Sequence, residues 1–147
     1  MSNSRIPAPA FPFRHHKAVQ LRFLDIDPMG HLNNAIYFQL MDTAKVDYFT
    51  ALGAVFDGKT ESLVIVNVNC SFYSPTYLSE NVEVLTTVDH IGEKSLRLEQ
   101  RVVNADNGDV KCICHTVMAG FNPATATSVV ISDDWHRKIS AYEGRTL

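Results

Sequence analysis

Asp25-Ile26-Asp27-Pro28-Met29-Gly30-His31-Leu32-Asn33-Asn34-Ala35-Ile36-Tyr37 is the stretch on which the reading of this chain turns. A β-rich segment, His16 to Leu24, runs into it, and a long helical pattern leaves it. Asp27-Pro28 opens a turn and Gly30 punctuates it. Asn33 or Asn34 is a good N-cap for the helix that follows. Ionisable groups, a turn and a helix start are therefore gathered together. The free N–H groups and dipole of a helix start favour negative charge. Small enzymes set an acid or base beside an oxyanion site in this way.

Outward from that stretch, Ala35 to Leu52 reads as a helix roughly 27 Å long at 1.5 Å per residue. Gln39, Thr43, Asp47 and Thr50 form one narrow polar stripe. Tyr37, Phe38, Leu40, Met41, Ala44, Tyr48 and Phe49 make most other positions apolar, so the helix is expected to be buried on most sides. Gly53 is a suitable stop. From residue 62 the period changes to two. Val64, Val66, Val68, Cys70 and Phe72 alternate with Ile65, Asn67, Asn69, Ser71 and Tyr73, giving a strand with one apolar face. Asn81 to Ile91, Ser95 to Val103 and Val110 to Phe121 read as three more strands, the last two joined by an Asn107-Gly108 hairpin signal. Ser132-Asp133-Asp134 caps a short helix from Trp135 to Tyr142. The pattern predicts an α+β fold in a single domain over residues 1–147. Antiparallel strands joined by turns form a curled sheet that buries one long helix. Residues 1–14, with Pro7, Pro9 and Pro12, read as an extended N-terminal arm.

The chain of 147 residues can bury an adequate core without metals or disulfides. A net charge of -3 argues against a nucleic-acid partner. No apolar run is long enough for a membrane span, and the start lacks a signal-peptide core, so a cytoplasmic location is expected. Cys70, Cys112 and Cys114 are odd in number and lack zinc-finger spacing. Reduced thiols are expected in place of a disulfide framework. Cys112 and Cys114 share one strand face and read as buried core thiols. Ser71 and Ser95 lack a triad context, and His15, His16 and His136 read as solvated.

Asp27-Pro28-Met29-Gly30 followed by Asn33-Asn34-Ala35-Ile36-Tyr37 resembles the 4-hydroxybenzoyl-CoA thioesterase family and its acyl-CoA thioester hydrolase relatives. Gly30-His31-Leu32-Asn33-Asn34 also resembles the acyl-carrier-protein thioesterases. Tyr73-Ser74-Pro75 and Ile91-Gly92-Glu93-Lys94-Ser95 fit the same pattern. The resemblance implies the hotdog fold, a curved five-stranded antiparallel sheet wrapped around one long central helix. It implies an acyl-CoA thioester hydrolase that releases a carboxylic acid and free coenzyme A. No cofactor or metal is implied, since coenzyme A enters only as part of the substrate. Asp27 stands at the catalytic carboxylate, and the backbone N–H near Asn34 at the position that polarises the thioester carbonyl. Many relatives carry a His side chain where this chain has Asn34; the carrier-protein enzymes carry it earlier, as His31 is here. Some relatives carry a Glu at the position of Asp42. Asn33, Tyr37 and Lys94 are substrate-binding candidates, with Arg97 and Arg101 as further basic groups for coenzyme phosphates. The family's partners are a second copy of the chain, in a homodimer or a tetramer of two dimers, and an acyl-CoA or acyl-carrier-protein substrate.

A carboxylate near a helix start can attack a thioester carbonyl directly or take a proton from water. Local sequence also permits Asp27 to act as a turn cap, His31 as a loop hydrogen bonder and Tyr37 as helix core. A non-catalytic protein that binds acyl thioesters is the alternative from a different functional class. Asp25, Asp27 and His31 match no strong metal signature, so no metal is expected.

Overall fold

Residues 5–147 are described by a computed structural model; residues 1–4 of the expected arm lie outside the described residues. The order is β1 (His15–Val19), α1 (Asn34–Ala51), β2 (Ser62–Phe72), β3 (Val82–Ile91), β4 (Ser95–Asn104), β5 (Val110–Asn122), the two-residue β6 (Thr127–Ser128) and α2 (Asp133–Glu143). The strands pair antiparallel in the order β1-β3-β4-β5-β2, with β6 beside β5. The hotdog arrangement expected from the sequence is therefore present, with β6 as a small addition.

α1 begins where the sequence places its cap: the Asn33 side chain accepts from the Ala35 N–H. Tyr37, Leu40, Met41, Ala44, Tyr48 and Phe49 are buried against the sheet. Phe38 and Val46 on the opposite side are exposed, so one face of α1 is buried and not most sides. Leu40, Met41 and Ala44 join Val84, Val102 and Cys112 in one apolar cluster. Tyr48 and Phe49 join Leu96, Leu98, Met118 and Ile139 of α2 in the other.

Three local departures have physical causes. β1 stops at Val19 because the chain turns before Leu24. The Arg22 backbone N–H and guanidinium both donate to the buried Asp25 carboxylate, closing a 3-10 turn at Phe23–Asp25. His15 is buried and not solvated, since its Nε2 pairs with Asp47 Oδ2 at 2.8 Å. In β2 a bulge lies between Ile65 and Asn67. One extra residue flips the side-chain alternation. Leu63 and Ile65 thus oppose Gly120 and Met118, on the face that Val68, Cys70 and Phe72 occupy beyond the bulge.

The reduced-thiol expectation also needs correction. Cys70 on β2 and Cys114 on β5 are register partners, 4.2 Å apart at Cα, and are joined in a disulfide; Cys112 is free and buried. The two half-cystines are 44 residues apart in sequence, so only the strand register brings them together.

β1 covers β3 only from Val82 to Thr86. Beyond it, the C-terminus takes over. The Val88 N–H donates to Glu143 Oε1, and Arg145 Nη2 donates to the Val88 carbonyl at 2.6 Å. Glu143 also accepts from the Tyr48 hydroxyl at 2.7 Å and the Thr87 hydroxyl at 3.0 Å. Burial first, then the Glu143 charge, holds the Tyr48 phenol well above its ordinary value, so it stays a proton donor. The described part of the N-terminal arm lies against this region. The Arg145 guanidinium stacks on Phe11 and that of Arg101 on Phe13, while Arg14 Nη1 donates to the Tyr142 carbonyl.

Candidate active site

The loop between the 3-10 turn and α1 is held at both ends. The Asn33 N–H donates to the Asp25 carbonyl, and the Leu32 N–H donates to the Thr76 carbonyl. Arg22, mainly through its hydrogen bonds, holds the Asp25 carboxyl below the usual carboxylate range, against the opposing effect of burial. Gly30 takes φ +80 to close the turn, a conformation that suits a residue without Cβ.

Inside this frame Asp27 Oδ1 accepts from the Met29 N–H at 2.9 Å and the His31 N–H at 3.2 Å. Oδ2 has no hydrogen-bond donor among the described residues. At the start of α1, the Asn33 side chain satisfies the Ala35 N–H, and the Asn33 carbonyl accepts from Ile36. The Asn34 N–H has no acceptor among the described residues. Asp27, His31 and Asn34 line one open cleft of about 290 Å³, together with Leu32, Tyr37, Phe72, Tyr73, Ser74 and Pro75. Asp27, with one carboxylate oxygen free of donors, and Asn34, with its helix-start N–H unpaired among the described residues, thus line the same space. Between them such groups can activate an attacking oxygen and stabilise the oxyanion that results.

The other expected site residues divide. Tyr37 borders the cleft but is almost wholly buried, with its hydroxyl bonded to Thr76 Oγ1 at 2.8 Å and its ring edge-on to Phe72. Burial raises its phenol above the ordinary value, with the Thr76 hydrogen bond opposing. Asn33 is a cap and does not line the cleft. Lys94 sits in the β3–β4 turn, where its carbonyl accepts from Gly120, beside the start of β2; the cleft lies at the end of β2, beyond Phe72. A single chain does not bring Lys94 to Asp27. Arg97 pairs with Asp89, Arg101 with Glu99, and Asp42 with Lys45. None of these lines the cleft.

Two site neighbours went unread in the sequence. Thr76 is fully buried and ties Tyr37 to the loop, and the Tyr77 ring stands edge-on to His31 at 5.3 Å between centroids. Their signal was the adjacent Tyr73-Ser74-Pro75. Among the described residues, one group of three has ligand atoms close enough together to hold a metal ion. It is Cys70, Cys112 and Cys114, and it does not include Asp27 or His31. No helix among the described residues is long and apolar enough to cross a membrane.

A sequence model of the thioesterase-like superfamily matches residues 21–139. Among curated proteins, the uncharacterized protein YsmA of Bacillus subtilis (strain 168) is 24% identical over 86 residues, 58% of each chain. Protein THEM6 of Danio rerio is 29% identical over 91 residues, 60% of this chain and 45% of its own. The chain thus spans about half the length of these curated relatives. Among solved structures, a thioesterase from Thermus thermophilus complexed with coenzyme A and Zn is 27% identical. The match covers 92% of this chain and 98% of that one, with a TM-score of 0.81.

Proposed function

The chain belongs to the thioesterase-like superfamily, and from that premise we propose that it hydrolyses acyl-CoA thioesters to a carboxylic acid and free coenzyme A. One observation carries this reading: Asp27, with one carboxylate oxygen held by the loop, and Asn34, whose N–H is unpaired among the described residues, line one cleft. The Asn34 N–H receives the thioester carbonyl and stabilises the charge that forms on its oxygen. Asp27 Oδ2 attacks the carbonyl carbon, or removes a proton from the water that does. Two backbone donors on Oδ1 fix the carboxylate, so little reorganisation is needed at the moment of attack. The thiolate leaves readily, and no general acid is required. His31 shapes the loop by its backbone, and it lines the cleft. The coenzyme A bound by the Thermus relative supports coenzyme A as the leaving group.

The acting unit is a homodimer joined through β2. This strand is an edge, and Val64, Ile65, Val66 and Val68 on it are exposed. A long apolar edge of this kind calls for a cover. Two such dimers can assemble into a tetramer.

The test is thiol release from a panel of aliphatic and aromatic acyl-CoA and acyl-carrier-protein thioesters. Turnover on the coenzyme A compounds, abolished by Asp27→Asn in a folded protein, bears the reading out. Turnover only on the carrier-protein compounds moves the substrate to that class. Binding without turnover makes the protein an acyl-thioester carrier.

A further inference from the structure

The Cys70–Cys114 disulfide lies at a place where breaking it has a consequence. Cys70 is on edge strand β2, and Phe72, two residues on and on the same face, is a wall of the cleft. The Phe72 ring packs edge-on against Tyr37, and its register partner is Cys112. Among the described residues of one chain β2 pairs with β5 alone, and in the proposed dimer its other side meets the β2 of a second copy. The disulfide cross-links it to β5. The two residues also differ in exposure: Cys114 is fully buried, whereas Cys70 is half-buried beside the exposed Val68. The third thiol, Cys112, lies 4.0 Å from Cys114 Sγ. Burial pushes the Cys112 thiol up to about 12, so it stays protonated and does not scramble the bond.

We propose that Cys70 and Cys114 form a reversible thiol–disulfide switch in the cleft wall, whose oxidised state holds β2 and Phe72 in place. A dithiol reductant is the partner by chemical class. Its thiolate attacks Cys70 Sγ, on the more exposed of the two residues. The S–S bond breaks, and Cys114 leaves as a thiolate that takes up a proton. The second thiol of the reductant then closes a disulfide within the reductant and releases Cys70 as a thiol. The protein gains two electrons and two protons, and the dithiol loses them. Cellular disulfides reverse the change.

The experiment compares protein equilibrated in oxidised and in reduced dithiothreitol. Free thiols are counted after denaturing in acid. The oxidised sample is expected to give one thiol and the reduced sample three. Cys70→Ser is expected to give two in both, and Cys112→Ser none and two. Reduction is expected to lower the thermal midpoint by at least several degrees, since a closed loop is lost from the unfolded chain's constraints. Cys70→Ser is expected to match the reduced protein and to ignore the buffer. Three thiols in the oxidised buffer, or a midpoint that does not move on reduction, overturns the switch. Both readouts are independent of turnover, so they stand apart from the thioesterase reading. The functional arm rests on that reading: KM for a hydrolysed acyl-CoA is expected to rise several-fold on reduction, in wild type but not in Cys70→Ser. An unchanged KM overturns the claim that the switch acts on the cleft.

Discussion

Asp27 and His31 hold each other twice: the Asp27 N–H donates to the His31 carbonyl at 2.8 Å, and the His31 N–H donates back to Asp27 Oδ1. The same carboxylate thus caps the loop through one oxygen and, in the proposed reaction, is the reagent through the other. The capping and catalytic readings of Asp27 do not compete, and two substitutions separate them. Asp27→Asn keeps an acceptor for the Met29 and His31 N–H groups and loses the charge. It is expected to fold with a nearly unchanged thermal midpoint while kcat falls by about 10²–10⁴. Asp27→Ala is expected to lose turnover and also about 1–2 kcal/mol of stability, read by chemical denaturation.

The Asn34 donor is testable without touching a side chain. Proline is well tolerated at the first position of a helix, and Asn33 already has the extended backbone that a following proline requires, at φ -62 and ψ 135. Asn34→Pro therefore removes the N–H without removing a hydrogen bond. The expected result is a folded protein with kcat reduced by about 10²–10³. Asn34→Ala keeps the N–H and is expected to retain most of the activity.

If Asp27 is the nucleophile and water opens the acyl–Asp27 anhydride at the Asp27 carboxyl carbon, a single turnover in ¹⁸O-labelled water leaves the first product unlabelled and labels Asp27. If Asp27 activates water, the label enters the acid product at once. Mass spectrometry of product and protein reads the difference.

Tyr37→Phe leaves the Thr76 hydroxyl buried without its partner. The expected cost is about 1–3 kcal/mol, and a denaturant titration at neutral pH measures it.

Acid should loosen the loop before the core. The Asp25 and Asp47 carboxyls are both held below their ordinary values, chiefly by hydrogen bonds from Arg22 and His15 respectively. The unfolded chain therefore binds protons at a higher pH than the folded chain does. The stability these carboxyls contribute is complete above the ordinary aspartate value of about 3.9 and is lost as pH falls through the lowered folded values. Asp25→Asn is expected to flatten the fall of the thermal midpoint between pH 5 and pH 2 (about one unit above that value to two below) relative to wild type.

Local signals carried the sequence reading well where they act within one turn. Asn33, Ser132 and Asn107-Gly108 declare two helix starts and a hairpin through their own side-chain and backbone preferences, and each stands where it was expected. The fold class and the placing of Asp27, His31 and Asn34 on one cleft were equally legible. What escaped depends on register. The bulge at Ile65–Asn67 is invisible in an alternating string of valines, and the pairing of Cys70 with Cys114 follows only from which strand neighbours which. Lys94 sat in a motif that matched but was carried to the far end of the sheet. Glu143 carries no signal of its own in the sequence. Only the gap that β1 leaves on β3 makes it a buried partner for Tyr48 and Val88.

The two margins of the sheet are unequal. β1 is five residues long and carries Lys17 and the paired His16, and past its end Glu143 and Arg145 occupy the backbone groups of β3. β2 is eleven residues long, apolar and open. A chain with two open margins could add copies head to tail into a filament. In the proposed dimer the open margin meets the same margin of another copy through a two-fold axis, and the short, charged β1 margin is a poor template for a further one. Association through β2 therefore closes after one step, and the asymmetry of the margins keeps it finite.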